Sequence, residues 1–343
     1  MIVARGLVQT FHTGQGRKKK PVHAVAGVDL DVAEGEVVGF LGPNGAGKTT
    51  TLRMLVTLLR PTQGSARVAG YDVVHEATQV RRSIGYVSQT GGVFSSARAG
   101  DEVMDHGMLY GLSRGHVEER GRELFSQLQL DGLWERMPKN MSGGQKRRLD
   151  IVAGLIHDPT LVFLDEPTTG LDPQARANLW EHIAKLRTER GATVFLTTHY
   201  LDEADALSDR IVIIDQGRIV ASDTADNLKA QVSGDLVDLE VTADDQRAVA
   251  RDKLASIATH VEVEGHHVRG RVQRAGRMIP SLLRDLEGAA VALDSIEVAR
   301  PTLDDVFLTL TGRSLRDAEA SAGAADGPVD ETTDEPELEG APQ

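Results

Sequence analysis

Short, continuously apolar runs recur along the first two thirds of the chain, each followed by a longer stretch whose apolar positions return at helical spacing. Residues 37–41, 84–87, 161–164, 193–198 and 211–214 are too short for amphipathic helices and read as strands buried on both faces. Helical stretches, the first at residues 50–59, separate them. This alternation predicts an α/β domain with a mainly parallel sheet over residues 1–230. Between about 93 and 155 the pattern turns mostly helical, which predicts a helical subdomain inserted into that framework.

Past Gln231 the period changes. Residues 236–241 alternate as a strand, 245–257 read as a helix, 260–264 and 267–272 as a hairpin about Gly265, 279–286 as a helix and 291–298 as a last strand. The β-α-β-β-α-β order predicts a small α+β domain of ferredoxin-like order over residues 231–312. A short amphipathic helix follows Pro301, with Thr302 or Asp304 near its cap. Residues 313–343 are rich in Ala, Gly, Glu, Asp and Pro with almost nothing large and apolar, and are expected to be disordered.

Composition narrows the function classes. A chain of 343 residues accommodates two domains, or one with an appendage, at ~100–200 residues each. The absence of cysteine excludes disulfides, thiolate catalysis and Cys-ligated metals. The net charge of −13 is uneven: nine acidic and no basic residues lie between 317 and 343, leaving −4 for the rest. A near-neutral body with an acidic tail argues against non-specific nucleic-acid binding. No run approaches the ~18–20 apolar residues of a membrane helix, and the first residues lack a signal peptide's pattern. The chain is expected to be intracellular, reaching a membrane only through a partner.

The strongest chemical signal is Gly42-Pro43-Asn44-Gly45-Ala46-Gly47-Lys48-Thr49, with a strand leading in and a helix leading out through Thr50. Two glycines with four residues between them let backbone amides converge on phosphates at a helix N-terminus, Lys48 reaches the β- and γ-phosphates, and the Thr49 hydroxyl ligates Mg²⁺. A second signal is Asp165-Glu166 at the end of an apolar strand, where open α/β sheets bind ligands. Alone, such a pair can simply cap the next helix. After a phosphate loop, Asp165 reads as holding Mg²⁺ through water and Glu166 as the general base for attacking water.

The discriminating element is Met141-Ser142-Gly143-Gly144-Gln145, followed by a basic helix. With it the sequence resembles the ATP-binding subunits of ABC transporters, built on a P-loop NTPase core with a RecA-like sheet and an inserted helical subdomain. The resemblance implies that Ser142, Gly143, Gly144 and Gln145 contact the γ-phosphate of ATP held by a second copy. It further implies that Gln89 is the Q-loop glutamine contacting Mg²⁺ or water, Asp172 the D-loop residue acting across the dimer, and His199 the switch histidine. Phe11 stands where an aromatic stacks on adenine, although core packing of the first strands would also explain it. The basic run Arg17-Lys18-Lys19-Lys20 reads as a solvated loop or as an approach to anionic lipid or the triphosphate.

Asp165-Glu166-Pro167-Thr168-Thr169-Gly170-Leu171-Asp172-Pro173, Thr197-Thr198-His199-Tyr200-Leu201-Asp202-Glu203-Ala204 and Pro301-Thr302-Leu303-Asp304-Asp305-Val306-Phe307-Leu308 resemble the daunorubicin-resistance subfamily. That resemblance implies a homodimer of ATPase subunits at the cytoplasmic face, cofactors ATP and Mg²⁺, and a separate polytopic ABC-2 type membrane permease exporting an amphipathic drug. It leaves open export of lipid, polysaccharide or sodium, and whether the C-terminal domain assists assembly or only stabilises. A soluble ABC ATPase acting on DNA or ribosomes is the rival. The lack of long heptad arms, the single ATPase domain and the acidic charge stand against it.

Overall fold

The structure, a computed structural model, describes residues 1–13, 20–92, 96–232, 234–315 and 317. Arg17, Lys18 and Lys19 of the basic run and the acidic tail beyond Asp317 lie outside the described residues.

A six-stranded sheet holds the middle of the molecule. Its strands are β3 (Val37–Leu41), β6 (Ile84–Val87), β7 (Leu161–Asp165), β8 (Thr193–Thr198), β9 (Arg210–Asp215) and β10 (Arg218–Asp223), in the order β10-β9-β3-β8-β7-β6. All neighbours run parallel except the β9–β10 hairpin. Every residue of β3, β7 and β8 is buried, because helices cover both faces. Phe40, Phe163 and Phe195 pack on one side with Leu52 and Leu55 of α1 (Lys48–Leu55). Val162, Leu164, Val194 and Leu196 pack on the other, with Leu179 and Ile183 of α6 (Pro173–Arg190). Adjacent residues of one strand thus serve opposite cores, which is why the middles of these strands are apolar without alternation, with Asp165, Thr193, Thr197 and Thr198 only at their ends.

A second sheet, antiparallel, was not separable from the parallel one by pattern alone. It comprises β1 (Ile2–Thr13), β2 (Lys20–Val32), β4 (Gln63–Val68) and β5 (Tyr71–Asp72), in the order β2-β1-β4-β5. Its strands bury one face only, and β2 alternates buried and exposed positions along its second half. The helix α2 (Ala77–Ser83) leads from it back to β6. Helix α1 stops at Leu55, four residues before the expected end, because Thr57 turns left-handed (φ 66°) and Leu58 and Leu59 both donate to the Arg53 carbonyl.

The helical subdomain consists of α3 (Ala99–Leu109), α4 (Arg114–Gln127) and α5 (Gly143–Leu155) around Val103, Val117, Leu124, Phe125 and Leu149. Helices α7 (Leu201–Leu207) and α8 (Ala225–Gln231) flank the other end of the central sheet. No helix among the described residues is long and apolar enough to cross a membrane.

The C-terminal sheet is antiparallel, formed by β11 (Asp235–Val241), β12 (Ala258–Glu264), β13 (His267–Val272) and β14 (Leu293–Ala299) in the order β12-β13-β11-β14. Val237, Leu239, Val268 and Val272 pack under α9 (Arg247–Ala255) and α10 (Ala275–Gly288). This is the split β-α-β arrangement read from the sequence. Helix α10 begins at Ala275 rather than 279, because Ala275 N donates to Asp235 Oδ2 at 3.1 Å, a cap supplied from another strand. Thr302 caps α11 (Leu303–Thr311) in a capping box with Asp305. Counted from sequence with the small domain, α11 buries Val306 and Phe307 among Leu41, Ile211 and Ile213 of the central sheet.

Candidate functional site

Register places the site. Leu41 of β3 lies opposite Thr198 of β8, Asp165 of β7 opposite Thr197, and Val87 of β6 opposite Leu164. The residues that follow these strands therefore leave one edge of the sheet side by side: Gly42, Ser88-Gln89, Asp165-Glu166 and His199.

At the end of β3 the chain turns through Gly45 (φ 76°) and Gly47 (φ 103°) into α1. A side chain at Gly47 would place its Cβ 2.4 Å from the Ala24 carbonyl oxygen, so only glycine fits there. No side chain caps the start of α1, which leaves its first amides for an anion. Asn44, Gly45, Gly47, Lys48, Thr49 and Thr50 border a cavity of about 310 Å³, with Ala24, Gln89 and Glu166 on its other walls. Gly42 and Pro43 contribute carbonyls that accept from Lys48 Nζ at 2.8 and 3.1 Å. Ala46 is buried, and its carbonyl accepts from Gly217 N at 2.9 Å.

The carboxylates occupy different environments. Asp165 is buried, and its Oδ1 accepts from Thr197 Oγ1 at 2.7 Å and Thr49 Oγ1 at 3.1 Å. Burial pushes its carboxyl up, and the two hydroxyls offset part of that rise. Glu166 has a left-handed backbone (φ 44°), which costs an L-residue about 1–2 kcal/mol. Its Oε1 lies 3.3 Å from Lys48 Nζ and 3.4 Å from His199 Nδ1, and its Oε2 accepts from Gln89 Nε2 at 2.8 Å and Thr169 Oγ1 at 3.2 Å. His199 Nδ1 faces this oxygen without an aligned hydrogen bond. Burial alone would raise the Glu166 carboxyl, but His199 and Lys48 outweigh it and hold it down at about 2.

The remaining sequence-derived residues stand apart from this cavity. Ser142 opens α5 in a capping box: its Oγ accepts from Gln145 N at 3.2 Å, and Gln145 Oε1 accepts from Ser142 N at 3.0 Å. Ser142 and Gly143 are exposed, and Gly144 and Gln145 half-buried, so the segment faces outward. Asp172 caps α6 by accepting from Ala175 N at 2.9 Å, also from an exposed position. Phe11 is 41% exposed at the far end of β1, which removes core packing as its explanation; it pairs with Val22, two residues before the cavity-lining Ala24.

Three residues to which the sequence reading gave no role at the site support it. Thr197 bonds Asp165 and also accepts from Glu166 N at 3.0 Å. Gly217, in the β9–β10 turn, braces the phosphate loop through Ala46. Arg147 of α5 reaches the carbonyls of Asp165, Glu166 and Pro167. None stands near its partners in sequence, so no spacing could have announced them.

A profile of the family described as "ABC transporter" matches residues 25–169. The chain is 41% identical to the daunorubicin resistance ATP-binding protein DrrA3 of Streptomyces coeruleorubidus, over 92% of this chain and 100% of that one. It is 40% identical to the daunorubicin/doxorubicin resistance ATP-binding protein DrrA of Streptomyces peucetius, over 89% and 93%. Among solved structures, it resembles the dimeric post-hydrolysis state of the ATP-binding cassette MJ0796 bound to ADP and Pi, with a TM-score of 0.60 and 26% identity over 65% of this chain and 98% of that one.

Proposed function

The chain belongs to the ABC transporter family, as an ATP-binding and ATP-hydrolysing subunit of the daunorubicin-resistance type, and from that premise we propose that two copies close head to tail around two ATP molecules to drive drug export by a separate membrane protein. The observation that carries this reading is the convergence of Lys48, Thr49, Gln89 and Glu166 on one cavity while the Ser142 segment faces outward. A phosphate loop facing inward and a signature facing outward complement each other between two copies, not within one.

In this reading the amides of residues 44–50 and the Lys48 ammonium hold the triphosphate. Phe11 stacks on adenine, and the partner copy's signature segment closes over the γ-phosphate. Glu166 accepts the proton of the attacking water, Gln89 orients that water, and His199 steadies the γ-phosphate. The donor set also fits Mg²⁺. The Thr49 hydroxyl and Asp165 carboxylate are hard oxygen donors already 3.1 Å apart, and no cluster of three or more acidic or imidazole ligands exists among the described residues. That is the sparse, phosphate-completed site this ion prefers, with Gln89 at its rim. When bound there, Mg²⁺ neutralises developing phosphate charge. ATP closes the dimer because it is bound well only in the closed state. Hydrolysis removes the shared γ-phosphate and reopens it.

The resistance proteins that the chain matches along nearly its whole length support an amphipathic drug as cargo, and a polytopic permease at the cytoplasmic face as partner. Glu166→Gln is expected to accumulate as an ATP-bound dimer, detected by light scattering on a sizing column. A monomer that hydrolyses ATP at the wild-type rate would overturn the assignment of the base.

A further inference from the structure

Arg147 lies two residues past Gln145 on α5 and is 7% exposed. Its guanidinium donates through Nε to the Pro167 carbonyl at 2.8 Å, through Nη2 to those of Asp165 at 2.9 Å and Glu166 at 3.3 Å, and through Nη1 to that of Ser88. A planar fork of five donors spreads over three nitrogens and can reach four carbonyls set apart in space; the three donors of an ammonium radiate from one nitrogen and reach a narrower set. The acceptors belong to the two stretches that matter most to hydrolysis, the end of β7 and the residue before Gln89.

The consequence for Glu166 is specific. Its amide donates to the Thr197 carbonyl at 3.1 Å and to Thr197 Oγ1 at 3.0 Å, while its carbonyl accepts from Arg147. The left-handed residue is therefore gripped on both sides, and this backbone geometry aims its carboxylate at Lys48 and Gln89. The same guanidinium fixes the peptide preceding Gln89, so both ends of the Gln89–Glu166 contact rest on one side chain. That side chain is carried by the helix Ser142 begins.

We propose that Arg147 is a positioning residue for ATP hydrolysis, holding the Glu166 backbone in its left-handed conformation and tying it to the helix that presents the signature segment. In a head-to-tail dimer that helix faces the partner's ATP, so Arg147 links occupancy of one site to the alignment of the base in the other. The inference rests on Glu166 acting as the base.

The test compares full-length wild type, Glu166→Gln, Arg147→Lys and Arg147→Gln for ATP bound per chain and for phosphate released per bound nucleotide. For both Arg147 variants, affinity and stoichiometry are expected within about twofold of wild type. Turnover per bound nucleotide is expected to fall ~10- to 100-fold, the scale of a small misalignment of a catalytic group, with Lys retaining more than Gln. A loss of turnover matched by loss of bound nucleotide would overturn the proposal in favour of a merely structural role. So would unchanged turnover, or failure of both variants to fold. If Glu166→Gln itself turns over like wild type, the reading of the base fails; if it is inactive while both Arg147 variants match wild type, this inference alone fails.

Discussion

As the base proposed above, Glu166 would meet two opposed requirements. A base must accept a proton, yet with no nucleotide present the carboxyl sits at about 2, held there by His199 and Lys48 against the upward push of burial. In the catalytic reading proposed above, a γ-phosphate would compete for the same Lys48 ammonium and so loosen its hold on the Glu166 carboxyl. Lys48→Ala therefore removes both the phosphate's anchor and this restraint. It is expected to abolish nucleotide binding or turnover, and unchanged turnover would contradict the phosphate-loop assignment. The shift also carries a stability consequence. Because the folded carboxyl lies below the ordinary 4.5, its ionised form stabilises the fold; that contribution is whole above 4.5 and is lost as the pH falls from there through 2. Glu166→Gln lacks it, so the melting-temperature gap between wild type and this variant should narrow across the same interval. A gap that does not change with pH would show that the contacts of Glu166 with Lys48 and His199 add nothing to folding.

At the scale of elements, α5 combines two roles in its N-cap residue. Ser142 caps the helix and, in the dimer proposed above, faces the partner's ATP. Ser142→Ala loses the cap and should cost about 1 kcal/mol, lowering the melting temperature by about 2–4 °C. Ser142→Asp keeps an N-cap acceptor and its stability, but sets a carboxylate against a phosphate, so the ATP-bound dimer of the Glu166→Gln background should not form. A Ser142→Asp chain that still dimerises would separate the signature segment from the second nucleotide. The sequence made such elements legible where one short pattern sufficed. The unalternating apolar middles of β3, β7 and β8 and the glycine spacing after β3 marked the sheet edge on which the phosphate loop and Asp165-Glu166 converge. What stayed hidden depends on contacts between distant segments. The start of α10 is set by Asp235, the end of α1 by a left-handed Thr57, and the support of Glu166 by Thr197 and Arg147. The antiparallel sheet of β1 and β2 was hidden differently: its alternation sits beside the apolar runs of the parallel sheet, and periodicity alone does not assign neighbouring strands to separate sheets.

Across the whole molecule, α11 joins the two sheets. Phe307 is fully buried in the cluster that includes Leu41 and Ile213, although it follows the C-terminal sheet in sequence. Phe307→Ala should cost about 3–5 kcal/mol, and the denaturation midpoint of the nucleotide-binding unit should move with it. A midpoint that stayed put would mean α11 is an ornament on that unit. Polar contacts reinforce the junction, with Arg271 of β13 paired to Asp305 and Arg313 Nη2 2.8 Å from Asp215 Oδ1. The small sheet is thus not a pendant on a single string. The chain leaves the nucleotide-binding unit after α8 and returns to it in α11, so the sheet works as a handle pinned at both ends. A twist applied to such a handle cannot be lost by swivelling about one bond. Phe307 shares its buried cluster with Leu41, and the next residue along the chain is the first glycine of the phosphate loop.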